Sequence, residues 1–136
     1  MGPLFLTLDE VLSLHAEQIR LFGGPSGIRD IALLHSAMGS VEATFGGAFL
    51  HETIFAMAAT YLHGICQNHP FIDGNKRTTV AAALTFLEMN GVEVDAGDDA
   101  FYDLVIGAIE GRVSKASITV FLEKHARRSG PREPTA

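Results

Sequence analysis

His69-Pro70-Phe71-Ile72-Asp73-Gly74-Asn75-Lys76-Arg77-Thr78 joins two long apolar segments through a proline and an Asp-Gly pair. A tight turn between two helices is the reading that follows. Pro70 disfavours helical geometry at the residue before it, so His69 is expected just past the end of the preceding helix, its ring free to point outward. From Asn75 onward Val80, Leu84 and Leu87 recur at helical spacing. The N–H groups of Asn75, Lys76 and Arg77 then lie in a first turn, where they have no intrahelical partners. Such an end accommodates an anion.

Upstream of the turn, about Glu52 to Gln67, the pattern Ile54, Phe55, Met57, Ala58, Tyr61, Leu62 and Ile65 is apolar on nearly every side. That is the pattern of a central helix surrounded by others. Downstream, Asn90-Gly91 ends the second helix, with glycine at the left-handed position past its end. Val92 to Val94 is long enough only for an extended connector or edge strand. Asp98 or Asp99 is expected to cap a helix presenting Phe101, Leu104, Val105 and Ala108, and a last helix uses Ile118, Phe121 and Leu122.

At the other end of the chain, Thr7-x-x-Glu10 has capping-box spacing and opens a helix from about Leu8 to Phe22. Gly23-Gly24-Pro25-Ser26-Gly27 breaks it, and Asp30 is placed to cap a second helix carrying Leu33, Leu34, Ala37, Met38 and Val41. A loop through Gly46-Gly47 follows. The expected fold is all-α: a bundle of about six helices, two central ones flanking the motif loop, with at most a short extended hairpin or edge segment. One domain over 1–128 is expected, with 129–136 a disordered tail containing Gly130, Pro131 and Pro134. Arg127, Arg128 and Arg132 read as solvated cations of that tail.

Composition narrows the class. The chain has 136 residues, 47% of them hydrophobic, and its longest apolar runs fall short of the ~20 residues that span a bilayer. No basic segment followed by an apolar run opens it, so cytoplasmic residence is expected. A formal charge of −6 argues against a sequence-independent grip on nucleic acid. Cys66 is the single cysteine, which rules out an intrachain disulfide and a four-cysteine zinc site. Its position in an apolar helix, outside the fixed positions of the turn, suggests a structural thiol.

Taken singly, the residues of the turn are ordinary. Asp-Gly-Asn is a common turn, Lys-Arg a common solvated pair, and His15, His35, His51, His63 and His125 read as core or surface histidines. Together, in this order at a helix entrance, they form a nucleotide-phosphate site. His69 suits a general base, since an unperturbed imidazole titrates near 6.5. Asp73 suits Mg²⁺, which takes one or two carboxylates with phosphate oxygens and water. The amides from Gly74 to Arg77, with Asn75, would cradle phosphate oxygens, and Lys76 and Arg77 would offset charge on the transferring group. Phe71 would anchor the loop on the core. No P-loop run, dinucleotide glycine loop or ordinary protein-kinase motif pair occurs.

His69, Phe71, Asp73, Asn75, Lys76 and Arg77 fill every fixed position of a pattern written His-x-Phe-x-Asp-x-Asn-Lys-Arg. The chain therefore resembles the death-on-curing (Doc) branch of the Fic/Doc superfamily. Leu6-Thr7-Leu8-Asp9-Glu10, Phe22-Gly23-Gly24, Gly27-Ile28-Arg29-Asp30 and Phe86-Leu87-Glu88-Met89-Asn90-Gly91 extend the likeness over roughly residues 4 to 125.

The resemblance implies a toxin of a type II toxin–antitoxin system that uses ATP and Mg²⁺ to phosphorylate a serine or threonine of a protein. The implied target is translation elongation factor Tu, and the implied partner a Phd-type antitoxin whose C-terminal helix lies in an apolar groove. Fic enzymes that transfer AMP usually have glycine where this chain has Lys76. A lysine there crowds the cradle, and the resemblance implies a reversed nucleotide pose with the γ-phosphate nearest His69. AMP transfer stays open as the alternative, because Gly74 stands where many plasmid Doc sequences have alanine, and added flexibility there could widen the cradle. A degenerate antitoxin-binding module is the second alternative. Self-inhibiting Fic proteins carry Ser/Thr-x-x-x-Glu-Gly/Asn. Ser13-Leu14-His15-Ala16-Glu17-Gln18 comes close but ends in glutamine, so regulation by a separate antitoxin is expected.

Overall fold

The computed structural model describes residues 2–128. The expected C-terminal tail, 129–136, lies outside the described residues. Helix α1 (Leu8–Phe22) opens on a full capping box. Thr7 Oγ1 accepts the Glu10 N–H at 3.1 Å, and the Glu10 carboxylate accepts the Thr7 N–H at 2.8 Å. A cap of this kind is worth about 1 kcal/mol. Helix α2 (Ile31–Val41) begins where Asp30 Oδ1 accepts the Leu33 N–H at 3.1 Å, and it buries Leu34, Ala37, Met38 and Val41.

The expected Gly46-Gly47 loop is a hairpin. Strand β1 (Thr44–Phe45) pairs antiparallel with β2 (Ala48–Phe49), Thr44 opposite Phe49. Gly46 and Gly47 have φ of 61° and 84°. Two consecutive positive φ values make the turn whose twist matches paired strands, and two glycines adopt it without steric cost.

Helix α3 (Ile54–Asn68) is capped by Thr53 and buried along most of its length, with Met57, Ala58, Ala59, Thr60, Tyr61, Leu62, Ile65 and Cys66 all inside. After the motif loop come α4 (Asn75–Met89), β3 (Val92–Val94), α5 (Asp98–Ile109), α6 (Lys115–Lys124) and β4 (Ala126–Arg128). α3 packs against α2, α4, α5 and α6, while α1 covers α4. That arrangement accounts for the lack of a polar face on α3. Fully burying a Leu, Ile or Phe side chain stabilises by about 1.5–3 kcal/mol, and Leu62, Ile65, Phe86, Leu87, Ile118 and Leu122 are all completely inside.

Two expectations are corrected. Gly97, not an aspartate, occupies the cap position of α5; Asp98 and Asp99 sit in its first turn, where carboxylates complement the helix dipole. Residues 126–128 are a strand instead of a solvated tail. β4 pairs antiparallel with β3, Val94 opposite Ala126, and Arg127 reaches Glu93 at 3.4 Å and Asp95 at 3.9 Å. Arg132 lies outside the described residues.

The segment before α1 is tied to the far end of the bundle. Tyr61 Oη accepts the Leu6 N–H at 3.1 Å, and burial pushes its phenol up to about 12. Asn90 accepts from Leu4 N–H at 2.9 Å and donates to the Leu4 carbonyl at 3.0 Å. Among the described residues no helix is long and apolar enough to cross a membrane.

Candidate active site

His69 closes α3 with φ 48° and ψ 55°, and among the described residues it is the one non-glycine at positive φ. That conformation costs roughly 1–2 kcal/mol for a residue with a Cβ, so it persists only where neighbours enforce it. Arg29 is such a neighbour. Its Nε donates to the His69 carbonyl at 2.7 Å and its Nη2 to the Asn68 carbonyl at 2.8 Å, satisfying the end of α3. The Arg29 and Asp30 N–H groups both donate to the Pro70 carbonyl, at 2.7 and 3.0 Å, and Ile72 N–H donates to the Gly27 carbonyl at 3.1 Å. The motif loop is thereby stitched to the loop that follows α1.

Below the loop, Phe71 is fully buried. The His15 ring of α1 stacks on it, centroids 3.8 Å apart and planes 6° from parallel. His15 Nε2 lies 2.7 Å from the Asp73 carbonyl oxygen. A carbonyl can only accept, so Nε2 carries the ring hydrogen.

Asn75 is the hub of the loop. It is buried; Oδ1 accepts the Phe71 N–H at 3.0 Å, while Nδ2 donates to the Phe71 carbonyl at 2.9 Å. Nδ2 also faces His69 Nε2 at 3.3 Å. The side chain thus braces the loop and orients His69, and only the backbone N–H of Asn75 is available at the helix end.

That end is open to an anion. Gly74 is the cap residue of α4 at φ 78°, and no side chain caps the helix. The Gly74 N–H is taken by Asp73 Oδ1 at 2.8 Å, and Thr78 N–H takes the Gly74 carbonyl at 2.9 Å. Among the described residues the N–H groups of Asn75, Lys76 and Arg77 have no backbone partner. They carry the positive end of the α4 dipole, roughly half a unit charge. The cradle is one amide narrower than the sequence suggested, because Gly74 serves Asp73.

Lys76 and Arg77 are exposed beside that end, and neither forms an ion pair among the described residues. The Arg77 guanidinium lies 4.2 Å from the centroid of the Phe22 ring, which holds the cation against α1. Glu17 pairs with Arg20 on its own helix, and this contact holds its carboxyl below the usual range. The Ser13–Gln18 segment therefore makes no ion pair with Arg77.

For a metal, Asp73 is a lone exposed carboxylate at the rim of the cradle. Among the described residues no three His, Cys, Asp or Glu side chains gather to hold an ion. One carboxylate beside three unpartnered amides would fit Mg²⁺ carried in with a nucleotide, and does not fit a closed zinc site. The Gly23-Gly24 turn presses on this carboxylate: a Cβ at Gly24 would sit 2.5 Å from Asp73 Oδ2. Cys66 takes no part. It is buried, its Sγ donates to the His63 carbonyl at 3.4 Å, and burial pushes the thiol up to about 11.

The sequence matches the Fic/DOC family over residues 5–87. The chain belongs to the Fic/DOC family. It is similar to "Protein kinase doc" of Escherichia phage P1, 35% identical over 117 residues that cover 85% of this chain and 90% of that protein. It is also similar to "Toxin Doc" of Mycolicibacterium smegmatis, 42% identical over 78 residues, 57% of this chain and 60% of that one. These relatives place it on the Doc branch of the Fic/DOC family. The family match runs from Phe5 into α4 and so contains every group of the site.

The structure brings His69, Asp73, Asn75, Lys76 and Arg77 to one end of α4, with Phe71 beneath them. Three supporting residues were not singled out from sequence for this Fic/DOC site. His15 had a signal: it is a polar residue on the otherwise apolar stripe of Leu8, Val11, Leu12 and Ile19. Arg29 and Gly24 fall in stretches that carry the family likeness, but their contacts depend on loops that meet only in three dimensions.

Proposed function

We propose that this protein is the toxin of a type II toxin–antitoxin system and a Doc-type kinase, moving the γ-phosphate of ATP to a serine or threonine hydroxyl of translation elongation factor Tu. Its main support is the entrance of α4, where three free N–H groups, two exposed cations and a carboxylate surround a histidine held by Asn75. The relatives add support, one carrying "kinase" in its name and the other "toxin".

Asn75 Nδ2 can only donate, so in the neutral ring His69 Nε2 is the nitrogen without hydrogen. Its lone pair faces Asn75 at 3.3 Å, a long contact that the ring gives up when Nε2 takes a hydroxyl proton. As the proton passes to Nε2, the hydroxyl oxygen bonds to the γ-phosphorus, the bond from phosphorus to the β,γ-bridging oxygen breaks, and ADP departs. General-base help contributes about 10²–10⁴ in rate. The Asn75, Lys76 and Arg77 amides hold the phosphate oxygens in place, and the two side-chain cations offset charge as the bridge breaks. Asp73 would hold Mg²⁺, which would supply further charge neutralisation. Lys76 occupies the position where AMP-transferring Fic enzymes usually have glycine, which favours the γ-phosphate as the group presented.

The partner is a Phd-type antitoxin. Leu21, Phe22, Ile28, Ile31 and Ile72 are all exposed; Phe22 lies against Arg77, Ile28 is bridged to Phe71, and Ile72 belongs to the loop itself. An apolar patch of this kind suits an amphipathic helix that folds on binding. Toxin and target then meet in the cytoplasm.

Expressing the chain and its His69→Ala variant in bacterial cells tests this proposal. Growth arrest with wild type, a phosphoryl adduct on elongation factor Tu, and loss of both in the variant are expected. Arrest that survives His69→Ala contradicts it.

A further inference from the structure

We propose that His15 is a positioning residue for the reaction, acting by locking the Asp73–Gly74 peptide in one of two orientations. The proposal deepens the nucleotide-binding reading of the same site. His15 Nε2–H donates to the Asp73 carbonyl at 2.7 Å from a buried ring that cannot swing away, because it is stacked on Phe71 at 3.8 Å. In a trans peptide the C=O and the following N–H point in opposite directions. Fixing the Asp73 carbonyl inward therefore fixes the Gly74 N–H outward, where it bonds Asp73 Oδ1 at 2.8 Å.

This lock has something to oppose. Residue 74 is glycine at φ 78°. Rotating the 73–74 peptide by half a turn would move that φ into the negative range, which glycine also adopts without cost. Residue 74 itself therefore does not choose between the two states. In the rotated state the Asp73 carbonyl oxygen would point toward the carboxylate and the anion cradle, and the carboxylate would lose its N–H. The carboxylate that would hold a divalent cation would be left without its N–H, and a phosphate at the helix end would meet a carbonyl lone pair. His15 holds the chain in the productive state, a role that Phe71 stacking alone cannot supply because stacking does not distinguish C=O from N–H.

Three variants separate the donor from the ring. His15→Gln keeps an N–H and loses the ring; His15→Met has similar bulk and neither; His15→Phe keeps the ring and loses the N–H. The direct readout is the Gly74 amide signal in nitrogen–proton correlation spectra without nucleotide, read together with MgATP and metal-free ATP titrations by calorimetry. Wild type and His15→Gln should show one sharp Gly74 signal. In His15→Met and His15→Phe the signal should shift or broaden, and MgATP affinity should fall about tenfold, the scale of one buried hydrogen bond lost. Metal-free ATP affinity should fall less.

An unchanged Gly74 signal in both Met and Phe variants would overturn the proposal, as would a loss in Gln equal to that in Met. If His15→Phe fails to fold, the Gln and Met pair still decides. Should the wild-type protein bind no ATP, the nucleotide reading fails, while the Gly74 signal still tests the lock.

Discussion

Asn75 Oδ1 accepts the Phe71 N–H at 3.0 Å, and this contact fixes which end of the buried amide faces His69. An N–H must meet an oxygen, so Nδ2 is left to serve the Phe71 carbonyl and His69 Nε2. One side chain thus couples the shape of the loop to the orientation of His69. Asn75→Asp is the matching test: it is nearly isosteric and still accepts from Phe71, but it cannot donate. Leaving the Phe71 carbonyl unsatisfied should cost about 1–3 kcal/mol. Phosphoryl transfer should fall well beyond what that stability loss explains, and urea melts beside transfer rates would separate the two.

His69→Gly should abolish transfer and make the protein more stable. The left-handed backbone at φ 48° strains a histidine and suits glycine, the residue most often found just past a helix end. A gain of about 1 kcal/mol is expected, raising the melting temperature by about 4 °C. A lower melting temperature than wild type would show that the ring contributes more to the fold than to the chemistry.

Gly24→Ala should act on Asp73 without touching the motif. Its Cβ would lie 2.5 Å from Asp73 Oδ2 at a φ of 106° that strains any side chain, so the turn and the carboxylate must move apart. The Mg²⁺ concentration for half-maximal transfer is expected to rise several-fold, with the rate at saturating Mg²⁺ less affected. An equal fall at all Mg²⁺ concentrations would place Asp73 outside the metal-dependent step.

Alkaline pH should unfold the protein through two buried acids. Burial pushes Cys66 from 9.0 up to about 11 and Tyr61 from 10.0 up to about 12. The fold therefore binds these protons more tightly than the unfolded chain does. Their contribution is complete below pH 9, then is lost as pH rises through 9 to 11 for the thiol and 10 to 12 for the phenol. Cys66→Ala should flatten the first part of that decline, read as urea midpoints against pH, and should leave transfer unchanged because the native thiol is protonated at neutral pH.

The fold was legible where local chemistry decides it. The Thr7 capping box, the Asp30 cap, the all-round apolar pattern of α3 and the glycine past α4 each act within a few residues, and each is visible in the string of letters. The β3–β4 pair was not, because Val92–Val94 finds Ala126–Arg128 only after two intervening helices fold back. The motif was equally plain, but the division of labour within it was not. From sequence Asn75 and Gly74 both read as phosphate ligands; the structure gives the Asn75 side chain to Phe71 and His69, and the Gly74 N–H to Asp73. Arg29 and His15 reach the loop from elements some 40 and 58 residues away along the chain. Neither distance has a signature in a single sequence.

In the proposed reaction the entrance of α4 presents the γ-phosphate of ATP to a hydroxyl activated by His69. Incubating the protein and its His69→Ala variant with Mg²⁺, elongation factor Tu and ATP labelled at either the α- or the γ-phosphate tests it directly. The account predicts γ-label on the target with wild type, none with His69→Ala, and no α-label with either. Transfer of the α-label, dependent on His69, would contradict it and make the protein an AMP transferase in which Lys76 does not set the pose of the nucleotide.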